Sequence, residues 1–264
     1  MAADTSAAEL PARGSRETQR FGTIVVVGGG CYGSYYLRQL ARAANAGAVE
    51  WDRVVVVDRD PRCTAASTAA GRELHGLEVV TAEWGAYFAR YLAEAAERPP
   101  AHQHDAIVPS PLMPHLMAEW LLDRARARWP DRFVGTTPLD RAPDVPWQRN
   151  GAGDTHYVSF AEWMCPINCI EPARCPHTRG ERSWSLPPAV HAYVEKERAA
   201  GRPLGGPFIF HCVHRAFGVG MLDVRDVVAA DRAIAEEGAR GATAVLVGTM
   251  SHCHGALQRL VVGA

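Results

Sequence analysis

Three cysteines lie close together in one segment of the chain, and cysteine is a common metal ligand. Cys165, Cys169 and Cys175 fall within eleven residues, with the spacing C-x3-C-x5-C. Neighbouring thiolates repel one another unless a cation holds them, so this density favours a metal. The spacing lacks the C-x2-C knuckle of ordinary structural zinc sites, and proline follows two of the cysteines, as in some ferredoxins. The segment therefore predicts zinc or an iron–sulfur cluster, with unligated thiols as the alternative.

Two short motifs later in the chain bring histidine and cysteine together again. They are His211-Cys212-Val213-His214 and His252-Cys253-His254-Gly255. Each motif follows a predicted strand, and a predicted helix between those strands indicates a βαβ unit with parallel strands. Because parallel strands end at the same edge of a sheet, both motifs are expected where open α/β sheets bind ligands.

Alternation of side chains along a strand decides which motif residues can act together. Alternation puts Cys212 and His214 on one face and His211 on the other. In the second motif, the two histidines would share the face opposite Cys253 if the chain stays extended. Either Cys212 or Cys253 would then complete a four-ligand site with the three clustered cysteines.

The histidines of both motifs are the candidate catalytic residues: His211, His214, His252 and His254. They would bind a second metal, or act as acid and base beside a substrate. Packing would explain a single histidine, but two matching groups at neighbouring strand ends favour a functional role.

A glycine-rich turn near the start of the chain indicates a nucleotide. Residues 24–40 read IVVVGGGCYGSYYLRQL, in which Gly28, Gly30 and Gly33 fit G-x-G-x-x-G between a predicted strand and a predicted helix. The first glycine permits the tight turn, the second lets a pyrophosphate approach the backbone, and the third lets the helix pack closely. The N-terminus of the helix attracts the phosphates.

Asp58 ends the next predicted strand, where it could bind the ribose of an adenosine nucleotide. Its charge would repel a 2′-phosphate, which favours NAD over NADP, whereas Arg59 and Arg62 could pair with such a phosphate. FAD and S-adenosylmethionine are alternative ligands, because both use a similar loop and acid. A Rossmann-like domain that has lost its ligand is the remaining alternative.

The stretches IVVVGGGCYG and VVVVDRDP resemble Rossmann NAD-binding domains, above all the nucleotide-binding domains of Trk-type potassium-uptake regulators. The resemblance covers about residues 21–135. It implies a Rossmann fold that binds NAD or a related adenosine nucleotide through Gly28, Gly30, Gly33 and Asp58. It does not imply potassium transport, because the second half of the chain departs from the regulator pattern.

Alternating strands and helices are predicted to position these residues. We predict strands at 23–27, 53–57, 77–81, 106–108, 156–160, 208–213 and 244–247, and helices at 34–44, 86–96, 114–129 and 223–237. The predicted fold class is α/β: a Rossmann-like parallel sheet, then a C-terminal α/β part with a Cys/His-rich metal-binding insertion. The predicted domains are a disordered leader (1–20), a dinucleotide-binding domain (21–135), a linker (136–154) and the metal-binding α/β part (155–264).

Composition excludes several classes of function. A formal net charge of −1 argues against a nucleic-acid binder that works by phosphate neutralisation. Lys196 is the only lysine, so a phosphate loop of the G-x-x-x-x-G-K type is excluded. The chain has no apolar stretch long enough to span a membrane and no signal-peptide core, so we expect a cytoplasmic protein with reduced cysteines.

The leading hypothesis is an NAD(P)-linked oxidoreductase with a cysteine-ligated metal centre that acts on an unknown small substrate. Its partners would be that substrate or a redox partner, with a homo-oligomer as a possible assembly. The alternative is a non-catalytic regulatory or carrier protein that binds a nucleotide and senses metal or redox state at its Cys/His site. A third interpretation makes zinc a purely structural element.

Overall fold

The computed structural model describes residues 18–67, 74–99, 104–161, 165 and 169–264. Its helices are α1 (Cys31–Asn45), α2 (Thr64–Ser67), α3 (Trp84–Glu97), α4 (Leu116–Arg128), α5 (Leu186–Ala199) and α6 (Val224–Ala239). Its strands are β1 (Gln19–Val27), β2 (Val49–Asp58), β3 (Leu77–Thr81), β4 (Ala106–Val108), β5 (Val134–Thr137), β6 (Trp147–Asn150), β7 (His156–Ser159), β8 (Gly205–His211), β9 (Val213–Ala216), β10 (Val219–Asp223), β11 (Thr243–Met250) and β12 (His254–Val262). The fold is mixed α/β, with two mixed sheets.

The first sheet has the strand order β3-β2-β1-β4-β10-β9. The strands β1 to β4 run parallel, and the valine-rich ends of β1 and β2 are buried, as a sheet covered on both faces requires. The prediction of a parallel sheet was wrong for its other edge. There β10 pairs antiparallel with β4, and β9 pairs antiparallel with β10, because a hairpin from the second half of the chain extends the sheet.

The second sheet has the order β6-β7-β12-β11-β8, with β5 also beside β12. The predicted parallel pair is confirmed, since β8 and β11 run parallel. Their connection is longer than a single helix, because the β9–β10 hairpin precedes α6. The other pairs of this sheet are antiparallel, including β11 with β12, a strand that the sequence did not predict.

One hydrophobic core joins the two sheets. It contains Val25 and Ile107 of the first sheet together with Phe210 and Val247 of the second, and helices α3, α4 and α6 pack into it. Helix α1 covers the other face of the first sheet, and α5 covers the other face of the second. The carboxyl ends of β1, β4, β8 and β11 are thereby held as parts of one packed structure.

Several predicted boundaries differ from the structure. Residues 1–17 of the predicted leader lie outside the described residues, and β1 begins within its last two positions, at Gln19. The predicted linker 136–154 contains β6, which pairs with β7. The predicted helix 223–237 begins one residue later, at Val224, and the carboxylate of Asp223 binds Arg215. Over the residues that the structure describes, no helix is both long enough and apolar enough to cross a membrane.

Candidate metal and nucleotide site

The β9–β10 hairpin brings the first histidine motif (residues 211–214) to the edge that carries the glycine turn (residues 28–33). Val25 of β1, Ile107 of β4 and Leu222 of β10 form one row across the first sheet. Because β10 runs antiparallel to β4, Gly220 lies nearer the carboxyl ends of β1 and β4 than Leu222 does. Gly220 pairs with His214 of β9. The row from β1 to β9 crosses three strand spacings of about 4.8 Å each, so the motif and the turn lie on the same sheet, roughly 14 Å apart across it.

Gly28 and Gly33 have the local geometry of the tight turn and the close helix packing that were predicted for them. Gly28 has φ of +86°, a conformation that favours glycine, and its N–H donates to the Val57 carbonyl at 2.9 Å. A Cβ on Gly33 would lie 1.9 Å from the Gly28 carbonyl oxygen, so a side chain there would collide with the backbone. A Cβ on Gly30 would meet no atom within 4 Å in the described part of the chain. The backbone at Gly30, where α1 begins, is open to a ligand.

Asp58 has a structural role that sequence reasoning missed. Its Oδ2 accepts the N–H of Gly29 at 2.6 Å, and its Oδ1 accepts the N–H of Asp60 at 2.9 Å. The carboxylate therefore fixes the glycine turn to the end of β2. Each oxygen retains capacity for a further hydrogen bond, so a ribose hydroxyl can still bind there.

Four of the candidate metal ligands gather around Cys165. Its Sγ lies 3.1 Å from Nε2 of His254, and its thiol is hydrogen-bonded to Cys169. Burial, together with the charges of Cys169, Cys253 and Cys175, raises the pKa of Cys165 to about 12. Thiols that resist ionisation beside one another in this way would ionise once a cation neutralised their charge.

Cys175 is held in a turn that favours its thiolate. Its Sγ accepts the N–H of Thr178 at 3.5 Å, and the turn closes where the N–H of Arg179, at φ of +59°, donates to the Cys175 carbonyl at 2.9 Å. Burial alone would raise the pKa of Cys175, but hydrogen bonds from the N–H groups of Thr178 and His177 lower it below its usual value. A sulfur with these donors is suited to metal ligation.

Cys212 lies apart from the other thiols, which leaves Cys253 as the fourth cysteine of the cluster. A Cβ on Gly220 would lie 2.7 Å from the Cys212 sulfur, so the thiol packs against β10. Burial and the nearby charge of Glu171 raise the pKa of Cys212 to about 12. Cys212 also contributes to the raised pKa of Tyr36, after burial of that phenol. It therefore connects the second half of the chain to α1, the helix of the glycine turn.

The two histidines of the second motif point to different partners. The pairing of Met250 with Gly255 and a hydrogen bond of 2.8 Å from the Ser251 N–H to the His254 carbonyl show that residues 251–254 form a turn. The expectation of an extended chain, with His252 and His254 on one face, was therefore wrong. Nδ1 of His254 lies 2.8 Å from the Ser159 hydroxyl oxygen.

His252 and His211 form the second histidine group of the site. Their rings meet edge to face, with centroids 4.7 Å apart, and Nδ1 of His252 lies 2.8 Å from the Ser185 hydroxyl oxygen. Burial, and then the charge of His252, lower the pKa of His211. The Nε2 atom of His211 is buried and has no hydrogen-bond partner among the described residues. This nitrogen can accept a hydrogen bond or a proton at the end of β8.

Glu171 holds the cysteines and both motifs together, and sequence reasoning missed it. Its carboxylate accepts the N–H of Cys253 at 3.0 Å and that of His252 at 3.3 Å, and it lies 3.6 Å from Nδ1 of His214. Burial would raise the pKa of Glu171, but hydrogen bonds from His214 and Ser251 lower it to about 2. Its only sequence signal was its position between two candidate ligands.

The side chains do not form a closed metal cage as they stand. Across the described residues, no three His, Cys, Asp or Glu side chains are grouped so as to hold a metal ion. Residues 162–164 and 166–168, which flank Cys165, lie outside the described chain. The donor set of thiols and imidazole nevertheless has the softness that zinc and iron–sulfur centres require.

Comparison with known proteins assigns the second half of the chain to a family. Residues 117–263, more than half of the chain, match the family AF_1314_C, described as an uncharacterized protein, C-terminal domain. The chain belongs to this family. No curated protein and no solved structure matches it. The AF_1314_C domain contains the clustered cysteines, both histidine motifs and the β9–β10 hairpin, whereas the glycine turn precedes it.

Proposed function

We propose that the protein is an NAD(P)-linked oxidoreductase with a cysteine-ligated metal centre, an iron–sulfur cluster or zinc, that acts on a small substrate. One observation carries this proposal: the thiols of Cys169, Cys175 and Cys253 interact with that of Cys165, and Glu171 links this segment to His214 on the sheet that bears the glycine turn. A binding protein for either ligand alone has no need for both groups at one edge.

The nucleotide part of the proposal is supported by the first sheet. The parallel order β3-β2-β1-β4 is that of half a Rossmann fold, in which the ligand lies over the carboxyl ends of β1 and β4. The open backbone at Gly30 and the free N-terminus of α1 suit a pyrophosphate, and the charge of Asp58 favours NAD. Bound there, NAD would supply the hydride chemistry.

The metal part is supported by the chemistry of the donors. Cys165, Cys169, Cys175 and Cys253 would hold the metal, and Glu171 keeps Cys253 beside the cysteine segment (residues 165–182) through its hydrogen bonds to the 251–254 turn. The metal would relay electrons or polarise the substrate.

His211 and His252 are the groups that suit proton transfer. The unpartnered Nε2 of His211 can accept a hydrogen bond or a proton from a substrate at the end of β8. His252 is oriented by Ser185, and its ring lies against that of His211. His214 is held by Glu171 and lines the same edge from β9.

Anaerobic purification followed by metal and sulfide analysis and a visible spectrum would test this proposal. We expect stoichiometric metal, and a spectral change of the metal centre or of the nicotinamide when NADH or NADPH is added. Gly30→Ala should weaken the response to nucleotide about tenfold or more and keep the metal, whereas Cys169→Ser should lose the metal. Absence of metal from the wild-type protein would refute the proposal.

A regulatory protein is the second candidate, favoured by the proximity of Cys212 to Tyr36 of α1. Glu171 contacts both the 251–254 turn and His214, so metal occupancy at the cysteines would act through Glu171 and β9 on Cys212 and α1. In that case metal and nucleotide would bind without electron transfer, and metal would change nucleotide affinity by a coupling of about 1–3 kcal/mol. Calorimetric titration of the metal-loaded and metal-free protein with NADH distinguishes the two candidates.

A further inference from the structure

We propose that His254 is a nitrogen ligand of the metal centre and that Ser159 is the positioning residue that orients its ring. This inference rests on the metal centre proposed above and makes its ligand set mixed, with one imidazole among thiolates. It separates His254 from His252, which the sequence places in the same motif.

The contact between His254 and Cys165 has the dimensions of two ligands that share one metal. Nε2 of His254 lies 3.1 Å from the Cys165 sulfur. In a tetrahedral zinc site, with Zn–S of about 2.3 Å and Zn–N of about 2.0–2.1 Å, a sulfur and a nitrogen ligand lie roughly 3.5 Å apart. A shift of a few tenths of an ångström would admit the metal between them.

Ser159 holds the imidazole in the orientation that ligation needs. Ser159 of β7 lies directly opposite His254 of β12 in the second sheet, so the strand register itself brings the two side chains together. The hydroxyl oxygen accepts the N–H of Ala161 at 2.8 Å and lies 2.8 Å from Nδ1 of His254. When Nδ1–H donates to Ser159, Nε2 carries the lone pair and faces Cys165.

His252 has a similar serine contact but a different environment. Its Nδ1 also lies 2.8 Å from a serine hydroxyl, that of Ser185, yet its ring contacts His211. The pair of His252 with Ser185 is therefore a matched control for the pair of His254 with Ser159. The two pairs share chemistry and hydrogen-bond length and differ in what the free edge of the imidazole faces.

A mixed ligand set changes the properties of the centre. Cys165, Cys169 and His254, with Cys253 or Cys175, give three thiolates and one neutral imidazole. The imidazole removes one negative charge relative to four thiolates, which raises the reduction potential of an iron–sulfur centre.

Cobalt titration of the full-length apoprotein tests the assignment, because visible Co²⁺ bands report the ligand field. We expect Ser159→Ala to weaken Co²⁺ binding on the order of 10–100-fold, the effect of losing an orienting contact. Ser185→Ala and His252→Ala should bind Co²⁺ with wild-type affinity. His254→Ala should lose the wild-type spectrum, and His254→Cys should bind Co²⁺ with additional sulfur-to-metal charge-transfer absorption.

The outcomes separate this inference from the proposed function. If His254→Ala binds Co²⁺ with the wild-type affinity and spectrum, His254 is not a ligand, although the metal centre stands. If the wild-type protein binds no metal, the proposed function fails as well. If His254→Ala does not fold, the Co²⁺ affinities of Ser159→Ala and Ser185→Ala are compared instead. Equal affinities for those two variants would overturn the inference.

Discussion

The glycine turn and the cysteine–histidine region share one edge of the protein but are built in different ways. Six consecutive residues make the glycine turn, and backbone contacts together with the Asp58 carboxylate fix it. The cysteine–histidine region combines the cysteine segment with the ends of β8 and β11, and the buried carboxylate of Glu171 joins them. The first region is fixed by its own hydrogen bonds, whereas the second brings together thiols whose ionisation a bound cation would favour.

Metal removal should have the largest effect, and it should fall on one region only. Structural zinc contributes about 10–16 kcal/mol to folding in small zinc domains, so we expect a loss of several kcal/mol here. Chelation should expose the cysteine segment and the 251–254 turn to hydrogen exchange and leave the glycine turn protected. Exchange measured by mass spectrometry checks this, and equal deprotection of both regions would contradict the difference between them.

Asp105 should be the most sensitive single position under the first sheet. Its buried carboxylate accepts hydrogen bonds from the Thr23 N–H at 2.8 Å and the Tyr91 hydroxyl at 2.6 Å, and it pairs with Arg98 at 2.7 Å. Asp105→Ala should lower the free energy of unfolding by about 3–5 kcal/mol, because the buried Thr23 N–H and Tyr91 hydroxyl lose their acceptor and Arg98 loses its partner. Chemical denaturation measures this loss.

Asp140→Ala is the control for Asp105. Asp140 pairs with an arginine but is 80% exposed, so its loss should cost less than about 1 kcal/mol. Metal content should stay unchanged in both variants, and a loss of metal from Asp105→Ala would show that the contacts of Asp105 also support the cysteine–histidine region.

Two glycine substitutions should separate folding from nucleotide binding. Gly33→Ala places a Cβ against the Gly28 carbonyl and should destabilise the protein by about 1–3 kcal/mol. Gly30→Ala meets open space, so its free energy of unfolding should stay within about 0.5 kcal/mol of wild type. Its affinity for NADH should nevertheless fall about tenfold or more, equivalent to ~1.4 kcal/mol. Unchanged affinity in calorimetry would place the nucleotide elsewhere.

The smallest effect should come from acid titration of Asp223. Burial would raise its pKa, but hydrogen bonds of 2.6 and 2.8 Å from Arg215 hold it below 3.8. Because the pKa of Asp223 is lower in the folded state, its ionised carboxylate stabilises the fold at any pH above the pKa of the unfolded state. This stabilisation is lost as the pH falls below about 3.8. Asp223→Asn should remove that part of the pH dependence of unfolding and cost on the order of 1 kcal/mol at neutral pH. An unchanged pH profile would contradict this role.

The sequence predicted the elements that rest on local pattern. Buried runs of valine and isoleucine predicted β1, β2 and the parallel pair of β8 with β11, and the glycine spacing predicted α1, whose start at Cys31 lies three residues before the predicted one. Apolar periodicity also predicted α3, α4 and α6 within a few residues. These signals suffice because a short stretch of chain decides each of these elements.

The sequence did not predict the elements that depend on long-range pairing. The β9–β10 hairpin joins β4 across more than a hundred residues, and β12 pairs with three other strands, and neither has a distinct local pattern. Glu171 was missed for the same reason, since its partners lie on two separate motifs. The choice of Cys253 over Cys212 required the turn at 251–254, because alternation along an extended strand left both cysteines open.

Paramagnetic line broadening most directly tests whether the glycine turn and the cysteine–histidine region form one site. The full-length protein would be loaded with Co²⁺, or with diamagnetic Zn²⁺ as the control, and titrated with NAD while the nucleotide protons are followed by NMR. We predict that Co²⁺ broadens the nicotinamide protons more than the adenine protons, and that Zn²⁺ broadens neither. Identical nicotinamide lines in the two metal forms, with NAD bound, would contradict a shared site.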